Sequence, residues 1–477
     1  MKRYVLLFSL LFAPFVSSAG GIKDGLDTFA EKINLSGYLK NETAYRYLEP
    51  RAFTKIRNTL FLQGNYPFSE SMELSFSGRA YYDLAYDLLD YDTISARSER
   101  DFLQPLNFIE GLPDGKDSNV AEIRELYLDI FFDNVDIRIG KQFVIWGVMT
   151  GVRIVDEINP MDFRELILPD LLDYRIPLWT LKANYYGESN EFELLWIPDI
   201  QAHRPAASGS EWELLQEVPG TVYPENFTLE NSEYGLKWSR TIFDAEVSLS
   251  YFYTWDDFPV IFRRVPVDVV VVNGEIESPI FYPEYTQIHM FGSTLQRAFG
   301  GQIIKGEFAY VQDKYFGLGI VDDDNDGYID NLGEIKKDHI RWGVGVDFNL
   351  WKTDFSPGFT QWVILDYDDN IIQEEFDSSI SLFVRKELPE QGAVFQMLFL
   401  YLVSLNETYT KPKITFNVTN QFQIAAGMDI FSGPNSQIGV AAQDGRAVDL
   451  LELEQRFQFI GNFSKNDRIF LEFKYNF

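Results

Sequence analysis

Five aspartates crowd into the nine residues Asp322-Asp323-Asp324-Asn325-Asp326-Gly327-Tyr328-Ile329-Asp330. Oxygen donors at positions 1, 3, 5 and 9 of a loop, a glycine at 6 and a carbonyl at 7 are the ligand order of a calcium loop. Asp322, Asp324, Asp326 and Asp330 would then give carboxylate oxygens and Tyr328 its carbonyl, with Gly327 making the sharp turn. Position 12 is Gly333, with Glu334 one step further, so the bidentate closing ligand is displaced. Ca2+ binding of about 10⁻⁴ to 10⁻³ M, as in extracellular modules, is the expectation. The plainer alternative is a solvated acidic run.

Little else points to catalysis. His203, His289 and His339 are the only histidines, and none stands in a metal-ligand spacing with another His or Glu. The absence of cysteine removes disulfides, thiolate metal sites, Cys nucleophiles and covalently attached haem. A chain with 72 acidic against 41 basic residues, a net charge of −31, is a poor ligand for nucleic acid. No enzymatic activity is expected.

A second constellation is Gly140-Lys141-Gln142-Phe143-Val144-Ile145-Trp146-Gly147, followed by Arg153, Asp156 and Asn159-Pro160-Met161-Asp162-Phe163-Arg164-Glu165. Asn159 as N-cap, Pro160 in the first turn and Asp162 near the free backbone donors predict a short helix over about 160–167, stopped by Pro169. The many apolar residues between Phe143 and Leu168 would be unstable in a freely solvated loop. The segment is therefore expected to fold inward, with Trp146, Arg153, Asp156, Asn159, Asp162 and Arg164 near a constriction.

The elements that position these residues are strands. Met72, Leu74, Phe76, Gly78, Ala80 and Tyr82 alternate with Glu73, Ser75, Ser77, Arg79, Tyr81 and Asp83, a period of two with one greasy face. The pattern recurs through 125–132, 135–139 and 340–350. Short turns such as Asp133-Asn134, Phe243-Asp244 and Phe299-Gly300-Gly301 alternate with long polar connections. The tail repeats it: Ile469, Leu471, Phe473, Tyr475 and the terminal Phe477 lie on one face, Phe470 being the one break. Such an ending resembles the signal by which the outer-membrane assembly machinery recognises its barrels. Residues 1–19 pair a basic start with a short apolar run and small residues, the form of a cleavable secretory signal. No later apolar stretch approaches the length of a spanning helix.

The prediction is an all-β chain: a transmembrane antiparallel β-barrel of about 16–18 strands over residues 35–477, in the outer membrane of a Gram-negative bacterium, with long extracellular loops. Residues 20–34 form a periplasmic N-terminal segment that could be helical. Leu74, Phe76, Ile130, Val344 and Phe473 should face lipid and lipopolysaccharide. Arg79, Glu125, Asp129, Arg138, Arg341 and Asp347 should line the lumen, with His289 and Gln287 also inside. Tyr251, Phe252, Tyr253, Trp255 and Phe258 read as an interfacial aromatic girdle.

Gly140-Lys141-Gln142, Trp146-Gly147, Asp156, Asn159-Pro160 and Asp162 together resemble the signature of a porin-like outer-membrane family of unknown function. Its members are commonly encoded beside RND-superfamily exporters of hydrophobic molecules. Where that family usually has acidic residues after the Trp-Gly pair, this chain has Val148 and Thr150. The resemblance implies a channel for hydrophobic or amphipathic molecules, working with an RND-type exporter and a periplasmic partner. A diffusion porin for small polar solutes and a calcium-binding surface or adhesion barrel are the alternatives.

Overall fold

The computed structural model describes residues 33–89, 119–170, 172–206, 210–212, 221–264, 271–272, 275–276, 280–318, 333–434 and 459–477. The expected signal at residues 1–19, most of the expected N-terminal segment and the calcium-type run Asp322 to Asp330 lie outside the described residues.

Eighteen strands pair antiparallel, each with its sequence neighbour in the sheet. They are β1 (Ser36–Arg46), β2 (Ala52–Ser69), β3 (Met72–Asp83), β4 (Asn119–Phe131), β5 (Val135–Gln142), β6 (Leu178–Tyr186), β7 (Glu191–Ile197), β8 (Glu233–Ile242) and β9 (Ala245–Trp255) in the first half. After β9 the connection carries two small hairpins, β10 (Val260–Arg264) with β13 (Ile280–Glu284) and β11 (Val271–Val272) with β12 (Glu275–Ile276). The wall resumes with β14 (Gln287–Phe299), β15 (Gln302–Gly317), β16 (Glu334–Leu350), β17 (Thr353–Ile364), β18 (Phe376–Leu388), β19 (Ala393–Leu402), β20 (Glu407–Asn417), β21 (Phe422–Ser432) and β22 (Arg468–Asn476). Pairing of β1 with β22 closes the sheet, so no edge is left in lipid.

The tight turns follow from local chemistry. Phe243 and Asp244, and likewise Trp351 and Lys352, both hold positive φ, the geometry that matches the twist of a two-residue hairpin. Long connections gather at the other end. The wall is uneven: β2 has 18 residues and β16 has 17, whereas β5, β6 and β7 have 8, 9 and 7.

Alternate side chains point outward, and rows of them are apolar. Val344 is 50% and Phe473 37% exposed, in line with Ile469, Leu471 and Tyr475. Leu74 and Phe76 share the outer face with Tyr82, and Ile130 pairs with Met72 on it. Phe470, the break in the tail, turns inward beneath Lys411 and Lys413. A closed sheet pairs its backbone groups internally and so tolerates lipid, and its apolar exterior is stable only in a bilayer: this is an outer-membrane β-barrel.

Two expectations about faces are corrected. His289 points outward, its Nδ1 2.9 Å from the Tyr251 hydroxyl and its ring beside Tyr253, while the buried Ile288 and Met290 point inward. Of the aromatic cluster, Tyr251 and Tyr253 belong to that outer surface. Phe252 is buried in the lumen, and Phe258 packs on Phe163 and His203. Strands apolar on both faces carry no alternation from which to read direction.

Candidate functional site

The segment between β5 and β6 folds into the barrel and divides its interior. Val144, Trp146, Ile154, Val155 and Ile158 pack on inward residues of β6, β7, β9, β14 and β15, including Leu178, Leu195, Phe252 and Met290. Burying each such side chain contributes about 1.5–3 kcal/mol. The wall makes room where it lacks Cβ atoms. A Cβ on Gly343 would meet Ile154 Cδ1 at 2.5 Å, and one on Gly235 would meet Trp146 Cη2 at 2.9 Å.

Polar groups then fix this seated loop. Glu307, on β15, accepts the backbone N–H groups of Val148, of Met149 at 2.6 Å and of Val155 at 3.1 Å. Asp156 accepts the Trp146 N–H at 3.3 Å and pairs with the buried Arg175. Asn159 accepts from Val144 N at 2.8 Å and donates to the Ile176 carbonyl at 2.9 Å, tying the two limbs of the loop. Arg153 donates to the Asp156 and Asn159 carbonyls, and the Trp146 indole N–H to Glu193.

The expected helix over 160–167 is replaced by extended chain and one 3₁₀ turn, Phe163–Glu165. Its cap is Asp162, which accepts from Arg164 N at 3.3 Å, and not Asn159. The reason is competition for backbone groups. Ile176 N donates to the Pro160 carbonyl, Asp162 N to Tyr174, and Met161 and Phe163 exchange bonds with Arg204. These tertiary pairings leave helix geometry only one turn.

Beyond the seat, the loop tip faces β1, β2, β3, β20, β21 and β22 across a cavity of about 240 Å3. Its lining includes the bases Lys40, Lys55, Arg57, Arg79, Arg164, Lys411, Lys413, Arg468 and Lys474 and the acids Glu42, Asp162, Glu165, Asp170, Asp173, Asp429 and Glu472. Lys55 bridges Glu42 at 3.3 Å and Glu165 at 2.8 Å, and Arg57 also pairs with Glu165, so ions of β2 grip the loop tip. Lys413 pairs with Glu472 at 2.7 Å and Arg468 with Asp429 at 2.7 Å. Lys474 lies over the Tyr38 ring, and Lys411 donates to the Leu168 carbonyl. At the upper rim Leu166 and Leu168 join Trp212, Tyr409, Phe431, Ile460 and Phe463 in a second apolar cluster. There Glu407 accepts the N–H groups of Phe459, Ile460 and Gly461.

Of the six residues expected at the constriction, Asp162 and Arg164 line this passage. Trp146, Asp156 and Asn159 are buried at 2%, 3% and 0% exposure and hold the loop from beneath, with Arg153 across their carbonyls. Arg79 also lines the passage, paired with Glu122. Glu125 and Asp129 lie on the inner face of β4, and Arg138 grips Asp129 at 2.7 and 3.0 Å. Arg341 meets Glu157 at 3.1 Å and lies over the Trp362 ring, and Asp347 pairs with Lys305 at 2.6 Å. Arg175, Glu307, Glu407 and the inward Trp362 escaped the sequence reading. A lone acid on an otherwise apolar inward face, as Glu307 is beside Ala309 and Val311, was the available signal. Among the described residues no cluster of three His, Cys, Asp or Glu side chains has the spacing of a metal site.

Charge in the loop is settled locally. Burial alone would raise the Glu157 carboxyl, but Arg341 and Arg153 hold it below its usual range. Asp162 is likewise lowered, burial being outweighed by its bonds from Arg164. His203 accepts the Met161 N–H at Nδ1, and burial, followed by Arg153, depresses it to about 3, so it stays neutral.

A family model described as "Protein of unknown function (DUF1302)" matches residues 51–328, more than half of the chain. The chain belongs to this family. No curated protein matches it. Solved structures similar to this DUF1302 chain include OccAB2 of Acinetobacter baumannii, with 10% identity over 94% of this chain and 98% of that one and a TM-score of 0.48. OpdK of Pseudomonas aeruginosa has 8% identity over 94% and 99%, with a TM-score of 0.46. OccK9 (OpdG) of the same species has 8% identity over 94% and 99%, with a TM-score of 0.49. Similarity at that level transfers neither substrate nor mechanism.

Proposed function

We propose that the protein is an outer-membrane channel whose passage conducts small charged solutes between the loop tip and the wall of β1–β3 and β20–β22. One observation carries the reading: in a chain of net charge −31, the cavity collects nine basic side chains against seven acidic ones. A lining of both signs offers successive weak partners to an ion, favourable enough to enter and weak enough to leave. The inward loop turns apolar residues such as Trp146 and Ile154 onto the wall and the charged residues of its tip, such as Arg164 and Glu165, to the passage.

Selectivity in a planar bilayer under a salt gradient tests this. Replacing Lys411→Glu and Lys474→Glu together should move the reversal potential toward cations by several-fold in permeability ratio. An unchanged potential, or no conductance from wild type, would remove the proposal.

The exporter partnership rests on the family resemblance alone; deletion should alter envelope lipid composition if it operates. Calcium binding at Asp322 to Asp330 is likewise a proposal, and loss of calcium-dependent heat in Asp324→Ala with Asp326→Ala would support it.

A further inference from the structure

Where β5 ends, the barrel wall drops. β4 pairs with β5 only from Leu126–Lys141 downward, so residues 119–125 of β4 rise above it without a strand partner on that side. β6 likewise meets β7 only from Leu181–Trp196. A cavity of about 300 Å3 occupies this notch, bordered by Glu122, Arg124, Lys141, Trp179, Arg204 and Phe227.

The cavity has two sides. Lys141 and Trp179 are cross-strand partners on the outward face, in line with the exposed Ile139. Asp162 borders this cavity and the inner passage alike. The two spaces are separated there by ion pairs, Asp162 with Arg164 at 2.5 Å and Arg79 with Glu122 at 2.5 Å.

Its charges favour an anion. Glu122 and Asp162 are each engaged by two arginines, and Asp199 accepts the Trp179 N–H at 3.1 Å and the Gln201 amide at 2.8 Å. Among the described residues Lys141 has no ion pair or side-chain hydrogen bond. Arg204 reaches Asp162 at 3.5 Å with a side chain 43% exposed. A lysine on the lipid side of a barrel costs about 2–4 kcal/mol at the bilayer midplane and about 0–1 near the interface, which sets the notch at headgroup level. An amphiphile keeps its acid there. Trp179 and Phe227, the latter 64% exposed, offer apolar surface beside the two cations.

We propose that the notch is a lateral portal, through which a single-chain anionic amphiphile moves between the inner passage and the outer leaflet. Its acidic head contacts Lys141 and Arg204, and its chain lies along Trp179 and Phe227. The portal rests on the channel reading and adds a cargo class and an exit to it. Lys141, in the Gly140-Lys141-Gln142 run, thereby gains a role that the passage does not give it.

The full-length protein in vesicles, with a medium-chain fatty acid bearing a diazirine at its tail, provides the test. Photolysis should label the Trp179 and Phe227 segments. Lys141→Glu with Arg204→Glu should cut that labelling about tenfold, since two attractive charges become repulsive. Lys141→Arg should retain it, which separates charge from misfolding. Labelling that is insensitive to charge reversal, or confined to the inner passage, overturns the portal. So does full loss of labelling when lipopolysaccharide is added, which would make the notch a fixed site for lipid phosphate. Salt conductance read in the same vesicles reports the channel separately, so failure of one reading is not mistaken for failure of the other.

Discussion

The two sides of the lumen obey the same alternation and do opposite things. On β14 the inward residues Ile288 and Met290 are buried, and they hold a loop against hydrocarbon. On β22 the inward residues Arg468, Glu472 and Lys474 face a cavity and hold ions. What inward positions carry therefore decides whether a stretch of wall becomes a seat or a path. The seat also sets the path's width, because the loop that one side fixes is the obstacle that the other side faces.

Breaking the seat should have the largest effect. Trp146→Ala removes a nearly fully buried ring and should weaken loop docking by about 3–5 kcal/mol. Single-channel recordings should show larger and noisier conductance, and protease should cut between 143 and 177 while the barrel stays folded. Quiet, wild-type conductance would mean that the ring does not hold the loop. Glu307→Ala is milder. It strands three N–H donors, each worth about 1–3 kcal/mol if buried without a partner, although water entering the gap recovers part of that. Intermediate conductance, restored by Glu307→Gln in part, is the expected outcome.

The smallest effect sharpens the contrast through pH. Glu211, next to Trp212 at the rim above the passage, is raised from 4.5 to about 7 by burial, against opposing hydrogen bonding and Arg468. A raised acid favours the folded rim below about 4.5, and that contribution is lost as pH rises through about 7. Amide protection at residues 459–466, taken relative to the intrinsic exchange rate at each pH, should therefore fall between pH 5 and pH 8 in wild type. Glu211→Gln should flatten the change, and an unchanged pH profile in that variant would assign it to other groups. His203 stays neutral across this range and should itself add no matching change where it meets Met161.

The barrel was legible because each wall strand is a local pattern. The outward row from Ile469 to Phe477 and the alternation at 72–84 can be read with no knowledge of neighbours. The inward course of 143–168 was legible too, since so much hydrocarbon needs cover. Which of its polar residues would be buried was not. Asp156 and Asn159 look no different from Asp162 along the chain, and their roles depend on Arg175 and Ile176, which return from the far limb of the loop. Nor could the sequence orient β9 and β14, whose Phe252 and Met290 are as apolar as their outer neighbours. The helix at 160–167 failed for a related reason: Arg204, from another loop, took the hydrogen bonds that a second turn would have used.

The uneven division of labour around the wall has a consequence for descent. Replacements on β1 and β22 can alter which charges meet a solute without disturbing Gly343, Gly235 or the side chains seated against them. Cargo preference can thus drift between lineages while the loop stays docked. Constraint should concentrate on the small and apolar residues of one flank, and variety on the charged residues of the other.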